Sequence, residues 1–334
     1  MPAPPWRALD AGAALHALRE FAAAHAVGAE APVALAFSGG ADSTSLLLAA
    51  LHLWGPSRVR ALHVDHGLQD DAVRFSAHAQ ALCAQWGVPL QVLAARVSAA
   101  RGDSVEERAR EARYAVLFDA ARALGCNWIL TAHQADDQVE TLLLALLRGA
   151  GPKGLAAMPA ASARAGLRLG RPLLAVGAGT LRALLDAQRV PYVVDAMNAD
   201  PAWRRSRIRH ELLPLIARLE PGYTRTLARS ARLCAQAAAA LQAQADADLS
   251  DCMDGSGALS LDALRALPRQ RLAEVLRAWL VAAGVRSSAA QIDELCRQLA
   301  HSAHGAARPR LRVGTRHAVW RDGKRLCCGA QRSL

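Results

Sequence analysis

Short apolar runs and segments of helical periodicity alternate along the first 200 residues. The apolar runs have the length and composition of strands buried on both faces, and they cover 33–37, 59–64, 90–93 and 128–131. Apolar residues at helical spacing lie between and after them, over 43–53, 70–86, 104–124 and 136–147. This alternation predicts βαβ units and a parallel sheet, and a ligand of such a sheet binds where the strands end.

The pattern changes near residue 220, where longer helical segments replace the alternation. Helices are predicted over 224–247, 261–267, 269–283 and 289–300, and short strand-like segments follow at 311–313, 318–320 and 325–327. Asp322-Gly323 is a predicted hairpin turn. We therefore predict an N-terminal helical extension (1–30), an α/β catalytic domain (31–219) and a mostly helical domain with a small β-hairpin end (220–334).

The composition is that of a globular protein. Apolar residues make up 52% of the chain and charged residues 21%, which excludes a disordered chain. No apolar run approaches the roughly 20 residues of a membrane span, and the first residues lack a secretory signal pattern. The seven cysteines are an odd number and show no metal-binding spacing. We expect a cytoplasmic protein with reduced thiols and no membrane attachment.

The formal net charge of +11 is concentrated after residue 200. Residues 201–232 carry eight Arg against two Glu, and residues 308–332 carry seven Arg and one Lys against one Asp. The rest of the chain is close to neutral. Local surfaces of one sign indicate a polyanionic partner such as nucleic acid, although a coding bias towards Arg is the plainer explanation for many of these residues.

The segment Ser38-Gly39-Gly40-Ala41-Asp42-Ser43 follows the first predicted strand directly. Its glycines allow a tight turn, and the helix that begins next offers N–H groups and a positive dipole end to an anion. A carboxylate beside a phosphate is unfavourable unless a cation lies between them, so Asp42 predicts a bound Mg²⁺. The segment fits neither a Walker A motif nor G-x-G-x-x-G, and an ordinary strand-to-helix turn is the alternative.

This segment resembles the pyrophosphate loop (PP-loop) of the ATP-pyrophosphatase superfamily, whose members split ATP between the α and β phosphates and adenylate a substrate oxygen. Seven further segments resemble motifs of the tRNA(Ile)-lysidine synthase family. In chain order they are His63-Val64-Asp65-His66-Gly67-Leu68, Glu106 to Tyr114, Ala132 to Thr141, Arg148 to Leu155, Arg171 to Leu174, Asp195-x-x-Asn198-x-Asp200 and Arg205 to Pro214. The resemblance is strong over residues 30–220. Met197 and Ser206 depart from the family pattern, which has Ser or Thr and Asn there.

The resemblance implies a Rossmann-like PP-loop ATP-pyrophosphatase domain of parallel sheet, and a ligase that uses ATP and Mg²⁺. Such an enzyme joins L-lysine to C2 of the wobble cytidine of tRNA(Ile) with a CAU anticodon. The reaction passes through an adenylated cytidine and releases AMP and pyrophosphate. The expected partners are that tRNA and L-lysine, and a homodimer is left open.

Roles for individual residues follow from the resemblance and from their positions. Asp42 and Asp137, from two strand ends, are the expected Mg²⁺ ligands, and His133 would stabilise charge on the α-phosphate. The expected ATP-binding residues are Ser38, Gly39, Gly40, Ala41, Asp42, Ser43, His63 and Val64. The expected substrate-binding residues are Glu106, Arg110, Arg113, Glu140, Arg205, Arg207 and Arg209. Among these, Glu106 would bind the lysine ammonium, and the segment 205–209 would contact RNA phosphates.

Each role has a plainer alternative. Asp136 and Asp137 could cap a helix, His133 could be a buried structural residue, and Glu106 with Arg110 could form a solvated ion pair worth only ~0.3–0.5 kcal/mol. Two other functions also fit parts of the sequence. One is a PP-loop tRNA thiolase, which would need a catalytic cysteine, and the other is an RNA-binding protein with an inactive nucleotide site.

Overall fold

The computed structural model describes residues 4–28, 31–65, 72–94, 105–194, 204–301, 310–313 and 317–330. Side chains are described for these residues apart from 72, 105–109 and 310. The chain forms two compact units, Met1–Ala235 and Gln236–Leu334, and the change from one to the other falls within a long helix. The domain boundary expected after residue 219 stays a prediction.

A six-stranded sheet lies at the centre of the first unit. In spatial order its strands are β3 (Leu90–Ala94), β2 (Val59–Asp65), β1 (Val33–Ala36), β4 (Trp128–Leu130), β6 (Leu167–Gly170) and β5 (Ala161–Arg164). Neighbouring strands are parallel, except that β5 pairs antiparallel with β6 at the edge. Parallel strands with helices on both faces consist mainly of apolar residues, which explains the composition of β1 and β4.

Different helices cover the two faces of this sheet. The helices up to the long α10, which continues into the second unit, are α1 (Gly12–His25), α2 (Ala41–Trp54), α3 (Ala72–Trp86), α4 (Val105–Ala123), α5 (Ala135–Leu146), α6 (Pro152–Leu155), α7 (Ala178–Ala187), α8 (Arg204–Arg207), α9 (Leu213–Leu219) and α10 (Tyr223–Cys252). Successive strand residues point to opposite faces. Leu35 packs in one core with α1, α2 and α7, whereas Ala34 packs in another core with Tyr114 and Phe118 of α4.

The strand order reverses at β1, and this reversal creates a crevice. β1 is flanked by β2 on one side and by β4 on the other, so the connections that leave β1 and β4 diverge. A ligand of such a sheet binds at the carboxyl ends of these two strands. The loop 37–40 leaves β1 and the loop 131–134 leaves β4. The glycine-rich segment and the segment that contains His133 and Asp137 therefore lie at the same edge.

The second unit combines helices with a small antiparallel sheet. Its elements are β7 (Leu259–Ser260), α11 (Leu261–Ala266), α12 (Arg269–Ala282), α13 (Ala289–His301), β8 (Arg310–Val313), β9 (His317–Asp322) and β10 (Arg325–Ala330). The strand order is β7-β10-β9-β8. The hairpin turn between β9 and β10 consists of Gly323, at φ +59°, and Lys324, because Asp322 still pairs with Arg325. The turn therefore lies one residue after the predicted Asp322-Gly323.

The predicted fold class is confirmed: a mostly parallel α/β sheet precedes a helical region with a small antiparallel sheet. The hydrophobic pattern of the sequence does not predict β5, β6 or α7. β5 is the edge segment Ala-Ser-Ala-Arg, whose residues are half-buried or exposed, so it lacks an apolar run. Within the described ranges, no helix combines the length and apolar character that a membrane crossing requires.

Candidate active site

Two serine hydroxyls and a left-handed glycine shape the loop after β1. Gly39 has φ +82°, a backbone conformation that favours glycine, and a Cβ there would also crowd the His78 side chain, 3.1 Å from Cδ2. Ser38 Oγ lies 3.0 Å from Ser43 Oγ and accepts the N–H of Gly40 at 3.3 Å. Ser43 Oγ donates to the Gly40 carbonyl oxygen at 3.0 Å. The N-terminal end of α2 follows, with the N–H groups that bind phosphate in such loops.

Asp42 lies in the first turn of α2 in an unusual environment. Its Oδ1 atom is buried and has no hydrogen-bond partner in the described part of the chain. Burial and the negative charge of Asp137 raise the pKa of Asp42 from 3.8 to about 6, against the opposing effect of Arg182 and Arg209. A buried carboxylate oxygen without a partner is unfavourable until a cation or a proton satisfies it. Asp42 therefore has the properties of a divalent-cation ligand.

A capping box at the start of α5 fixes Asp137. Asp136 N–H donates to Gln134 Oε1 at 2.6 Å, and Gln134 N–H donates to Asp137 Oδ2 at 3.0 Å. The other oxygen, Oδ1, accepts a hydrogen bond from Arg209 Nη2 at 3.3 Å. Burial raises the pKa of Asp137 as well. The capping box thus occupies Oδ2 of Asp137, whereas Oδ1 contacts the positively charged Arg209.

Asp136 has structural partners on both oxygens. Oδ2 accepts the N–H of Ala178, the first residue of α7, at 3.0 Å, and Oδ1 accepts the hydroxyl of Tyr223, the first residue of α10, at 3.3 Å. These contacts tie the starts of two other helices to α5. Both oxygens of Asp136 therefore have structural partners.

Glu140, one turn after Asp137, is completely buried between two arginines. Arg209 donates to its two oxygens, from Nε at 2.6 Å and from Nη2 at 3.1 Å, and Arg205 Nε lies 3.6 Å from Oε2. Arg205 also donates to Thr141 Oγ1 at 3.1 Å. Burial raises the pKa of Glu140, and the hydrogen bonds from Arg209 oppose that rise. This is a fixed, charge-assisted cluster.

Arg207 faces the opposite way from Arg205 and Arg209. It forms an ion pair with Glu211 at 3.3 Å, with 61% and 58% of the two side chains exposed. The three arginines therefore do not share one face of the segment. A π-helical turn over Ile208–Leu212 links α8 to α9 and carries Arg209 towards Glu140.

His133 lies close to several arginines. Its Nδ1 atom is 2.9 Å from Thr131 Oγ1, which in turn lies 3.4 Å from the Gly170 carbonyl oxygen. Burial and the positive charges of Arg171 and Arg113 lower the pKa of His133 to about 3. The imidazole is therefore neutral at physiological pH, and a neutral ring still donates one hydrogen bond.

The α4 side of the site is basic. The guanidinium carbons of Arg110 and Arg113 lie 5.7 and 5.6 Å from the ring centroid of Tyr114. Arg171 is only 6% exposed and donates to the Pro159 carbonyl oxygen at 2.8 Å. Burial lowers the pKa of both Arg113 and Arg171. Glu106 belongs to α4, but its side chain lies outside the described side chains.

His63 supports the loop after β1. It is buried, and its Nδ1–H donates to the Phe37 carbonyl oxygen at 2.9 Å. The next residue, Val64, packs beside the core that α4 covers. His66 and the segment 195–200 lie outside the described residues.

Sequence reasoning missed two groups that act on the site. Arg182 of α7 opposes the rise of the pKa of Asp42, and Tyr223 binds Asp136. Neither belongs to a recognisable motif, because both reach the site through tertiary packing. Arg171 belongs to a segment that resembles a family motif. Nothing in the sequence indicates that this arginine lies near His133.

The chain matches two family models in succession: a PP-loop domain over residues 14–216 and a TilS substrate binding domain over residues 259–327. It is 44% identical over 296 residues to the tRNA(Ile)-lysidine synthase of Polaromonas naphthalenivorans, covering 89% of each chain. It is also 44% identical over 254 residues to that of Xanthomonas axonopodis, covering 75% of this chain and 57% of the relative. The U34-tRNA thiolase NcsA of Methanococcus maripaludis has a similar fold, with a TM-score of 0.54 and 15% identity over 66% of this chain and 77% of its own.

Proposed function

The chain belongs to the tRNA(Ile)-lysidine synthase family, and we propose that it joins L-lysine to the wobble cytidine of tRNA(Ile) with a CAU anticodon. It is an ATP-dependent ligase with a PP-loop ATP-binding domain and a tRNA substrate-binding domain. One observation carries the mechanism: a phosphate-binding loop with a buried, unpartnered Asp42 oxygen lies beside Asp137 at the ends of β1 and β4.

We place the triphosphate of ATP in the crevice between the ends of β1 and β4. The loop 38–43 and the N-terminal end of α2 would bind its pyrophosphate part, with His63 holding the loop in position. Asp42 and Asp137 would hold Mg²⁺, which when bound neutralises the charge of the leaving pyrophosphate. Two carboxylates suffice because phosphates and water complete the coordination of this ion.

His133 is proposed to act during adenylation of the cytidine. The C2 oxygen of the base attacks the α-phosphate, the bond between the α and β phosphates breaks, and pyrophosphate leaves. Thr131 Oγ1 is closer to His133 Nδ1 than to the Gly170 carbonyl oxygen, 2.9 against 3.4 Å. The Thr131 hydroxyl has one proton, which goes either to the Gly170 carbonyl oxygen or to His133 Nδ1. In the tautomer in which Nδ1 accepts, the ring proton on Nε2 would bind the α-phosphate.

The second step joins lysine to the activated base. The neutral amine attacks C2, the C–N bond forms, the C2–O bond breaks, and AMP leaves with the former C2 oxygen. Arg110, Arg113 and the outward-facing Arg207 are proposed to contact the RNA. Arg205 and Arg209 are proposed to act beside them by holding Glu140 and Asp137 in place.

Mass analysis of the tRNA tests this function directly. The chain is incubated with Mg·ATP and CAU-anticodon tRNA(Ile), with and without L-lysine, and the digested nucleosides are analysed. We expect the anticodon cytidine to gain the mass of lysine less one water, together with lysine-dependent AMP release. Methionine tRNAs with the same anticodon are the control. AMP release that is indifferent to lysine would contradict the assignment of lysine as substrate.

The buried thiols argue against the thiolase interpretation. Burial raises the pKa of Cys83 to about 12 and also raises that of Cys126, so both are neutral and unreactive near pH 7. In the described ranges, no three His, Cys, Asp or Glu side chains are grouped so as to hold a metal ion. The intact loop 38–43 with Asp137 argues against an inactive nucleotide site. In the mass experiment, a thiolase would instead replace an oxygen by sulfur.

Glu106→Gln should raise the KM for lysine by about 10- to 100-fold, because a charge-assisted hydrogen bond to the lysine ammonium is lost. Pyrophosphate release from tRNA and Mg·ATP without lysine should be unchanged, since adenylation precedes lysine attack. Steady-state kinetics at varied lysine measure both. Glu111→Gln, an exposed carboxylate on the same helix, is the matched control. If the KM for lysine stays at the wild-type value in Glu106→Gln, Glu106 does not bind lysine.

We place the reaction in the cytoplasm, where ATP and tRNA occur together. The homodimer that the sequence leaves open stays a prediction, and light scattering on the purified chain measures it.

A further inference from the structure

Three arginines from two elements converge on the ring of Tyr114. The guanidinium carbons of Arg110, Arg113 and Arg164 lie 5.7, 5.6 and 5.2 Å from the ring centroid, and these residues are called the arginine cluster below. Tyr114 is buried, whereas Arg110 and Arg164 are exposed. Arg164 also lies 5.9 Å from the centroid of Phe118, one turn further along α4. The buried ring of Tyr114 thus makes cation–π contacts with exposed guanidinium groups.

A tight hairpin fixes the position of Arg164, the last residue of β5. Ala165 and Gly166 have φ values of +50° and +79°, which two-residue hairpin turns require. Arg164 pairs with Leu167 across this turn. Arg122 of α4 donates from Nη2 to the Ala165 carbonyl oxygen at 2.8 Å and so ties the turn to α4. The hairpin therefore presents Arg164 to the surface around Tyr114 in a defined place.

The described side chains supply no counter-charge to the arginine cluster, and those of residues 105–109 are outside that set. Among the described side chains, no carboxylate lies within ion-pair distance of Arg110, Arg113 or Arg164. Like charges held close together repel, and stacking on an aromatic ring at an exposed site offsets this by only about 0.5–1 kcal/mol. The arrangement is favourable when an anion lies over it. A surface of this kind has the chemistry of a phosphate-binding site.

We propose that the arginine cluster binds phosphates of the tRNA backbone, with Arg164 as a contact that no sequence motif marks. This inference rests on the proposed function in one respect: it takes tRNA to be the substrate. α4 covers the sheet face to which Ala34 points, whereas α2 and the phosphate loop belong to the face of Leu35. Arg113 is close enough to His133 to lower its pKa, whereas Arg110 and Arg164 are exposed on the α4 side, where the backbone phosphates of an RNA can reach them. Such contacts position an RNA without reading its bases.

Binding of tRNA to Arg164→Ala tests the proposal. Affinity for tRNA(Ile), measured without ATP or lysine, should fall about tenfold at moderate salt. The slope of log K against log salt should become shallower by about 0.7–0.9, the value for one phosphate contact. The KM for ATP should not change. Because lysine is absent, the result does not depend on the lysine assignment.

Arg168→Ala is the matched control, since Arg168 lies on the same hairpin, is also exposed, and stacks instead on Trp128 at 5.4 Å. It should bind tRNA like the wild type. Arg164→Lys keeps the charge without the planar guanidinium, so it should restore the salt slope and only part of the affinity. Equal tRNA affinity of Arg164→Ala and Arg168→Ala would overturn the proposal. So would a raised KM for ATP with unchanged tRNA affinity, which would assign the phosphates to ATP.

Discussion

Asp42→Asn is expected to abolish lysidine formation while making the ligand-free chain more stable. Asparagine keeps the size of the side chain but removes the charge that would hold Mg²⁺ against the triphosphate. The rate of AMP release should fall by at least about 100-fold, the scale on which loss of a charge-stabilising group acts. Loss of activity together with a gain of stability is the expected behaviour of a residue that is kept for function.

The gain in stability follows from the raised pKa of Asp42. The folded chain holds this carboxyl with a pKa of about 6, above its ordinary value of 3.8. Ionising it in the folded state therefore costs free energy, at most about 3 kcal/mol. This cost is absent below the ordinary pKa, grows as the pH rises towards about 6, and is complete above it. Asparagine removes the cost, so the gain should be present near neutral pH and absent in acid.

Urea unfolding in the presence of a chelator, at neutral pH and near the ordinary pKa of aspartate, measures this effect. Asp119→Asn is the matched control, because Asp119 is 75% exposed and forms an ion pair with Arg122 at 2.9 Å on the surface of α4. It should change neither activity nor its pH dependence. Retained AMP release in Asp42→Asn would remove Asp42 from the metal site, and a loss of stability at neutral pH would contradict the unpartnered, buried carboxylate.

The sequence located the central strands well and the sheet edge poorly. The predicted bounds of β1 to β4 agree with the structure to within one residue. β1, β2 and β4 are largely buried and leave continuous apolar runs, whereas the residues of the edge strand β3 are half-buried or exposed. β5 and β6 are four residues each, and β6 alternates buried Leu167 and Leu169 with exposed Arg168. Such segments contain too few consecutive apolar residues to differ from loops in the sequence. Because the β5–β6 hairpin could not be predicted, the position of Arg164 beside Tyr114 could not be predicted either.

Motif spacing also predicted where Asp42, His133 and Asp137 lie, since each directly follows a strand that can be recognised. It could not predict which partners Glu140 has, because Arg209 is 69 residues away along the chain. In the structure Arg205 and Arg209 bind carboxylates, and the RNA contact expected of the segment 205–209 stays a prediction. An arginine that neutralises a buried carboxylate and one that binds phosphate look the same in a sequence.

Arg209→Met is expected to destabilise the first unit by about 3–5 kcal/mol, because it leaves the fully buried Glu140 without its hydrogen-bonded partner. The loss of stability should increase with pH. Arg209 opposes the rise of the pKa of Glu140, so without it the folded state holds a carboxyl whose ionisation becomes still more unfavourable. Replacing both partners, as Arg209→Met with Glu140→Gln, removes the uncompensated charge and should restore most of the stability.

The activity of this double variant separates a structural role from a functional one. Arg209 Nη2 also donates to Asp137 Oδ1 at 3.3 Å, so its loss should remove a contact that orients this carboxylate, which is proposed to bind Mg²⁺. We expect a stable double variant that releases pyrophosphate slowly and needs more Mg²⁺ for half-maximal rate. Arg207→Met with Glu211→Gln, an exposed pair from the same segment, is the control and should cost no more than about 1 kcal/mol. If the double variant regains wild-type activity, Arg209 and Glu140 only support the fold, and Asp137 keeps its orientation through the capping box alone.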